Sequence, residues 1–237
     1  MAVEATTTAF VAGATGYVGR EVVKQLVGLG IATHAHVRPS SGRFEEWRQR
    51  FEAIGANVCA CDWTSEAIGA ALANAEPTHV FSLLGTTRSR AKSEAITGDP
   101  YDKIDYGLTA MLYEQAATLA SKPRFVYLSA AGVGDSARSA YMRARVRAEA
   151  LVREGPLPYV LARPAVITGS DRDDRRRGEE FAGKAIDGAL SVLGALGARK
   201  LRERYRSTTN TVLAAALIRL ATESVDDGVV AEGIDLR

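Results

Sequence analysis

Three glycines at positions 13, 16 and 19 constrain this chain more than any other feature. They follow an apolar run, Ala9-Phe10-Val11-Ala12, and precede a helical pattern with Val18, Val22, Val23, Leu26 and Val27 on one face. A strand that enters a glycine turn and leaves as a helix is the context in which such a motif holds a phosphate. Gly13 permits the tight turn off the strand. Gly16 omits a Cβ where an anion must approach, and Gly19 lets the helix lie close to the strand. The free N–H groups and positive dipole end of that helix then face the anion. With Thr15, Tyr17 and Val18 between them, these glycines read as a cradle for the pyrophosphate of a dinucleotide. A glycine-rich turn without a ligand is the plainer alternative.

The same strand-then-helix pattern recurs. After the first strand, the spacing predicts strands over 31–37, 57–61, 78–84, 124–129 and 158–163. Helices are expected over 44–51, 65–73, 101–120 and 139–154. Strands that are continuous apolar runs, alternating with helices, require a parallel sheet covered on both faces. The expectation is an α/β fold, a doubly wound parallel sheet of the Rossmann type, with ligands at the carboxyl ends of the strands. Beyond Pro164 the alternation stops. A charge-dense loop over 171–180, a helix over 181–201, a helix over 208–221 and an edge strand over 233–236 would form a small C-terminal helical cap. The whole of 1–237 reads as one domain, with 165–237 on the substrate side.

Composition narrows the class. At 46% hydrophobic and 24% charged, the chain can bury a sizeable core. Its net charge of +2 comes from 30 basic and 28 acidic residues, which leaves no electrostatic footprint for nucleic acid. No apolar run approaches the ~20 residues of a membrane span, and residues 1–8 lack the pattern of a signal peptide. Cys59 and Cys61, at i and i+2, point the same way from one strand and lack a second Cys/His pair for zinc. They read as reduced, packed thiols of a cytoplasmic protein. His34 and His36 read as packed or edge residues, and His79 has no partner legible in sequence.

Several residues carry chemistry. Arg38 follows the second strand, 19 positions past Gly19. A carboxylate near this point would serve the 2′-hydroxyl of NAD, whereas an arginine suits the 2′-phosphate of NADP. Ser40 and Ser41 add hydroxyls and Arg43 a second charge, so NADP is the expected cofactor. Asp62 either reaches the adenine edge or ends a strand. Leu84, Gly85 and Thr86 close the fourth strand over the cofactor position. Ser129 ends the fifth strand, Tyr141 opens the next helix, and Arg145 follows at i+4 on the same helical face. A tyrosine, with its pKa of about 10, needs a neighbouring positive charge to work as an acid/base near neutrality. Ser129 would polarise a carbonyl oxygen beside it.

Gly13-Ala14-Thr15-Gly16-Tyr17-Val18-Gly19, Leu84-Gly85-Thr86-Thr87-Arg88, Val126-Tyr127-Leu128-Ser129-Ala130-Ala131-Gly132 and Ala162-Arg163-Pro164-Ala165-Val166-Ile167 together carry a resemblance. From about Thr8 to the final helix the chain resembles the atypical short-chain dehydrogenase/reductases, closest to the Tat-interacting-protein-like NAD(P)H-binding oxidoreductases. The resemblance implies Ser129 as carbonyl-orienting hydroxyl, Tyr141 as acid/base, and Pro164, Val166 and Ile167 as backbone contacts to the nicotinamide. The family motif places lysine four residues after the tyrosine; here the run is Tyr141-Met142-Arg143-Ala144-Arg145. Arginine supplies charge but cannot release a proton. Two functions follow. One is an NADP(H)-dependent oxidoreductase acting on a small carbonyl-type substrate. The other is a non-catalytic NADP(H)-binding redox sensor. Dimers of this fold commonly pair through helices placed like 101–121 and 139–154, so a homodimer is an open expectation.

Overall fold

Alternate residues of the first strand face opposite sides, and both sides are buried. In β1 (Thr8–Ala12), the residues Ala9 to Ala12 are fully buried. Ala9 and Val11 join a core with Val22, Val23, Leu26, Leu213 and Leu217. Phe10 and Ala12 join a second core with Ile68, Leu72, Leu112, Tyr113 and Ala116. A strand with two apolar faces must lie inside a three-layer sandwich, and this one does.

The computed structural model describes residues 7–86, 97–134, 138–168 and 207–237. After β1 come α1 (Gly19–Gly28), β2 (Ala32–His36), α2 (Phe44–Ala53), β3 (Asn57–Cys59), α3 (Ser65–Ala75) and β4 (His79–Ser82). A π-helical segment, Tyr101–Leu108, runs into α4 (Thr109–Thr118), followed by β5 (Arg124–Leu128), α5 (Ala140–Glu154) and β6 (Tyr159–Arg163). The described chain ends with β7 (Ile167–Thr168), β8 (Thr208–Thr209), α6 (Asn210–Glu223), β9 (Gly228–Glu232) and a 3₁₀ turn. The main sheet has seven parallel strands in the order β3-β2-β1-β4-β5-β6-β9. The short strands β7 and β8 pair with each other. The chain therefore reverses winding direction beside β1, which is where a doubly wound sheet opens a crevice.

Three expectations change. The last strand lies at Gly228–Glu232, and 233–236 is the 3₁₀ turn. Gly233 has φ of +55° and the Glu232 and Asp235 side chains cap the turn reciprocally, which tightens the backbone there. The third strand stops at Cys59, since β2 offers no partner beyond His36. The helix expected over 101–120 begins as a π-helix, with Asp105 fully buried within it. The 171–180 loop and the 181–201 helix lie outside the described residues. The final helix, α6, lies on the same face of the sheet as α1, through Leu213 and Leu217. Among the described residues, no helix is long and apolar enough to cross a membrane, and no group of His, Cys, Asp or Glu could hold a metal ion.

Gly19 shows why the glycine spacing is strict. A Cβ there would sit 2.1 Å from the Gly13 carbonyl oxygen. Replacing a helical glycine with alanine ordinarily stabilises by about 1 kcal/mol. Gly19→Ala is expected to reverse that sign and cost at least about 2 kcal/mol, because backbone must move. Gly28→Ala, whose Cβ would meet nothing within 4 Å, is expected to hold or raise stability. Urea unfolding of both variants checks the contrast.

Candidate functional site

The cradle forms as its residue types demand. Gly13 takes φ of +80°, and a Cβ on it would lie 2.6 Å from the Leu83 carbonyl oxygen of the neighbouring strand end. Gly16 closes the turn by donating its N–H to the Gly13 carbonyl at 2.9 Å. At the start of α1, Val18 provides no side-chain cap, which leaves that helix end without a cap from its own N-cap residue.

A cleft opens there, at the carboxyl ends of β1, β2 and β4. Its lining includes Gly13, Thr15, Gly16, Arg38, Leu84, Gly85 and Thr86 from the sequence candidates. Tyr17, Val18 and Gly19 are not among the described residues lining it. Val18 and Gly19 are buried, and the Tyr17 hydroxyl donates to the Thr168 carbonyl at 3.1 Å. Ser40 is exposed and off the cleft, while its neighbour Ser41 lines it. Arg43 pairs with Glu46 at 2.7 Å instead of adding charge to the cleft. Asp62 is also exposed and off the wall; the next residue, Trp63, forms it.

His36 and Trp63 are among the cleft residues that sequence reasoning missed, as are Val37, Leu83, Ile104 and Leu108. The buried His36 ring packs edge-on against Trp63 with centroids 4.7 Å apart, and its Nε2–H donates to the Cys61 carbonyl at 2.9 Å. Its packed role was legible, but its place on a ligand wall depends on how β2 meets the end of β3. His79 also finds partners, Thr78 Oγ1 at 2.8 Å and the Ala221 carbonyl at 3.0 Å. Burial lowers its pKa.

Pro164, Val166 and Ile167 are not among the residues lining this cleft. The Pro164 carbonyl accepts from Ala131 N–H and the Val166 carbonyl from Thr208 N–H. Ile167 lies in β7.

Ser129, Tyr141 and Arg145 are not among the described residues lining this cleft; Tyr141, Arg145 and Glu149 succeed one another at four-residue intervals along α5. Arg145 is only 5% exposed. Its Nη1 donates to the Tyr127 hydroxyl at 3.0 Å and the Leu128 carbonyl at 2.5 Å. Its Nη2 donates to Asp105 Oδ1 at 2.8 Å and, more weakly, to the Leu84 carbonyl at 3.4 Å. A guanidinium has five N–H donors, and the four on Nη1 and Nη2 are thereby engaged. Nε is a buried polar atom without a partner among the described residues. The charge also lies over the Tyr141 ring, with Cζ 5.2 Å from its centroid, and Tyr101 packs edge-on against that ring at 5.5 Å.

Burial works against the Arg145 charge, but Tyr127, Tyr141 and Asp105 more than offset it, so the guanidinium stays ionised. Burial pushes the Asp105 carboxyl up, while Arg145 and the Thr86 N–H pull it back. Burial likewise pushes the Tyr127 phenol up to about 12. Asp105 Oδ2 accepts from Thr86 N–H at 3.1 Å, and a Cβ on Gly85 would lie 3.0 Å from Arg145 Nη2. The ion pair thus lies directly beneath the turn that forms one cleft wall.

Ser129 is drawn elsewhere. Its hydroxyl donates to Glu149 Oε1 at 2.6 Å. Glu149 is also held by Arg163 through two bonds and by Arg153, and Arg163 reaches on to Glu232 in β9. The single Ser129 proton is therefore engaged with a carboxylate.

A family model described as NAD(P)H-binding matches residues 13–191. No curated protein matches the sequence. Among solved structures, the chain is similar to a UDP-glucose 4-epimerase from Thermus thermophilus in complex with NAD, at 14% identity, 95% of this chain, 78% of that one and a TM-score of 0.66. An anaerobillin reductase from Escherichia coli matches at 16% identity, 98% and 99% coverage and a TM-score of 0.64. A short-chain dehydrogenase/reductase from Serratia marcescens matches at 16%, 98% and 98%, with a TM-score of 0.64. Likeness at these identities shows the fold.

Two outcomes test the buried cluster. Arg145→Lys restores the motif residue but cannot span four acceptors from one nitrogen, so it is expected to cost about 2–3 kcal/mol in urea unfolding. Tyr127 keeps its proton in the folded chain up to about pH 12, whereas the unfolded chain releases it near 10. The folded form therefore binds the proton more tightly, and its contribution is lost as pH rises through that window. The stability of wild type relative to Tyr127→Phe is expected to fall by about 2–3 kcal/mol between pH 10 and pH 12.

Proposed function

We propose that this chain, which belongs to the NAD(P)H-binding family, is an NADP(H)-dependent oxidoreductase acting on a small carbonyl-type substrate with Tyr141 as acid/base. One observation carries the cofactor half of this reading. Arg38 and Ser41 stand on the cleft wall just past β2, and among its described lining residues there is no Asp or Glu. An arginine at this position favours a 2′-phosphate over a bare ribose hydroxyl. The uncapped start of α1 and the Gly13-Thr15-Gly16 surface fit the pyrophosphate.

The bound cofactor supplies hydride, and the side chains handle the proton. Tyr141, in the first turn of α5, donates its phenolic proton to the substrate oxygen. The negative charge left behind faces Arg145, a cation that cannot neutralise itself by losing a proton. Arg145 thus acts as a fixed charge, and Asp105 and Tyr127 hold it in place. Ser129 meets a substrate through its lone pairs unless its proton turns away from Glu149.

That engagement, with the four engaged N–H donors of Arg145, favours a second reading: an NADP(H)-binding redox sensor that does not turn over. NADPH oxidation against a panel of carbonyls, quinones and aldehydes separates the two. The oxidoreductase is expected to oxidise NADPH with at least one member and to lose about 100-fold or more in Tyr141→Phe. NADPH should bind at least about tenfold more tightly than NADH, and Arg38→Ala should abolish the difference. Tight NADPH binding without oxidation across the panel supports the sensor, and equal binding of NADH and NADPH removes the cofactor preference.

A further inference from the structure

The cleft wall at Trp63 is joined to a chemical group that neither reading above uses. Cys59 and Cys61 are the two cysteines of the chain, and both are half-buried. Their Sγ atoms lie 3.7 Å apart. A disulfide needs about 2.05 Å, so closure calls for a shift of under 2 Å.

The two ends are not equally free to make that shift. Cys59 is pinned in the ladder opposite His36, and its carbonyl accepts from Val37 N–H at 3.0 Å. Cys61 lies past the end of β3, and the bond to its backbone carbonyl comes from the His36 ring. His36 and Trp63 both line the cleft and pack against each other. Movement at Cys61 therefore pulls on one of these wall residues through a hydrogen bond and on the other through two peptide links.

We propose that Cys59 and Cys61 form a redox-active dithiol that closes to a reversible disulfide and, in closing, loosens the cofactor cleft. The coupling to cofactor rests on the reading of the cleft as a dinucleotide site; the disulfide itself does not. The oxidant is a small-molecule disulfide such as oxidised glutathione. The Cys59 thiolate attacks one of its sulfurs and releases one thiolate, leaving a mixed disulfide. The Cys61 sulfur then attacks Cys59 Sγ, loses its proton and expels the second thiol. Two cysteine thiols are oxidised to one disulfide as one small disulfide is reduced to two thiols. The contact between the two draws the Cys59 thiol below its usual pKa and, with burial, pushes the Cys61 thiol up, which suits Cys59 to the first attack and leaves Cys61 to give up its proton only as it closes the bridge. A bridge across so short a loop in extended chain gains little from loop entropy and carries strain, so it is easily reduced again.

The test uses the full chain treated with oxidised glutathione. Intact mass should fall by two hydrogens, both thiols should become unreactive, and dithiothreitol should reverse both changes. In Trp47→Phe, where Trp63 is the sole remaining tryptophan, emission should shift on oxidation. The NADPH dissociation constant should rise about fivefold, as loss of one hydrogen bond predicts. The double variant Cys59→Ser/Cys61→Ser should show none of these changes under the same treatment. Arrest at a stable glutathione adduct, or a disulfide that leaves Trp63 emission and NADPH affinity unchanged, overturns the proposal. If the reduced chain does not bind NADPH, the assignment of the cleft falls, and mass together with Trp63 emission still decides whether the dithiol closes and moves the wall.

Discussion

The buried guanidinium of Arg145 is the constraint on which the site depends. Taking a charge out of water costs several kcal/mol unless acceptors surround it. Here the four acceptors come from three different segments. Leu84 belongs to the turn after β4, Asp105 to the π-helix, Tyr127 to β5, and Leu128 to the end of β5. None of these segments can move far without stranding the charge. The unusual i→i+5 winding at 101–108 is in keeping with this demand, since it carries a carboxylate fully into the interior.

The same cluster explains the cleft wall above it. Gly85 leaves no Cβ where Arg145 Nη2 approaches, and Asp105 holds the Thr86 N–H. The backbone that would face a cofactor is therefore set from below by an ion pair. A parallel arrangement holds Ser129. Glu149 takes its proton, and Arg163 ties Glu149 to Glu232 on the sheet edge. Two residues with expected roles in proton handling are thus also structural anchors, which narrows what each can offer a substrate.

Much of this was legible in the sequence because it depends on local rules. Gly13, Gly16 and Gly19 announced the turn, and the doubly buried strands announced a parallel sheet with helices on both sides. The Arg38 position and the four-residue step from Tyr141 to Arg145 followed from spacing alone. The rest depends on an environment made by distant chain. Asp62 and Trp63 are adjacent, yet only the twist past β3 decides which one faces the cleft. The last strand was placed five residues late because Gly233 and Asp235 make a tight turn, and pairing with β6 fixes the strand at 228–232.

The sequence by itself determined the fold class, the glycine turn at the end of β1 and the presence of a tyrosine backed by a cation. Those properties follow from periodicity of 2 and 3.6, from glycine's missing Cβ and from helical geometry, all of which act over a few residues. Tertiary structure alone decided what the cation and the serine are bonded to. Asp105 lies 40 residues from Arg145 in sequence, and Glu149 lies 20 from Ser129. No local pattern registers such pairs, because hydrogen-bond partners are chosen by packing once water has been excluded.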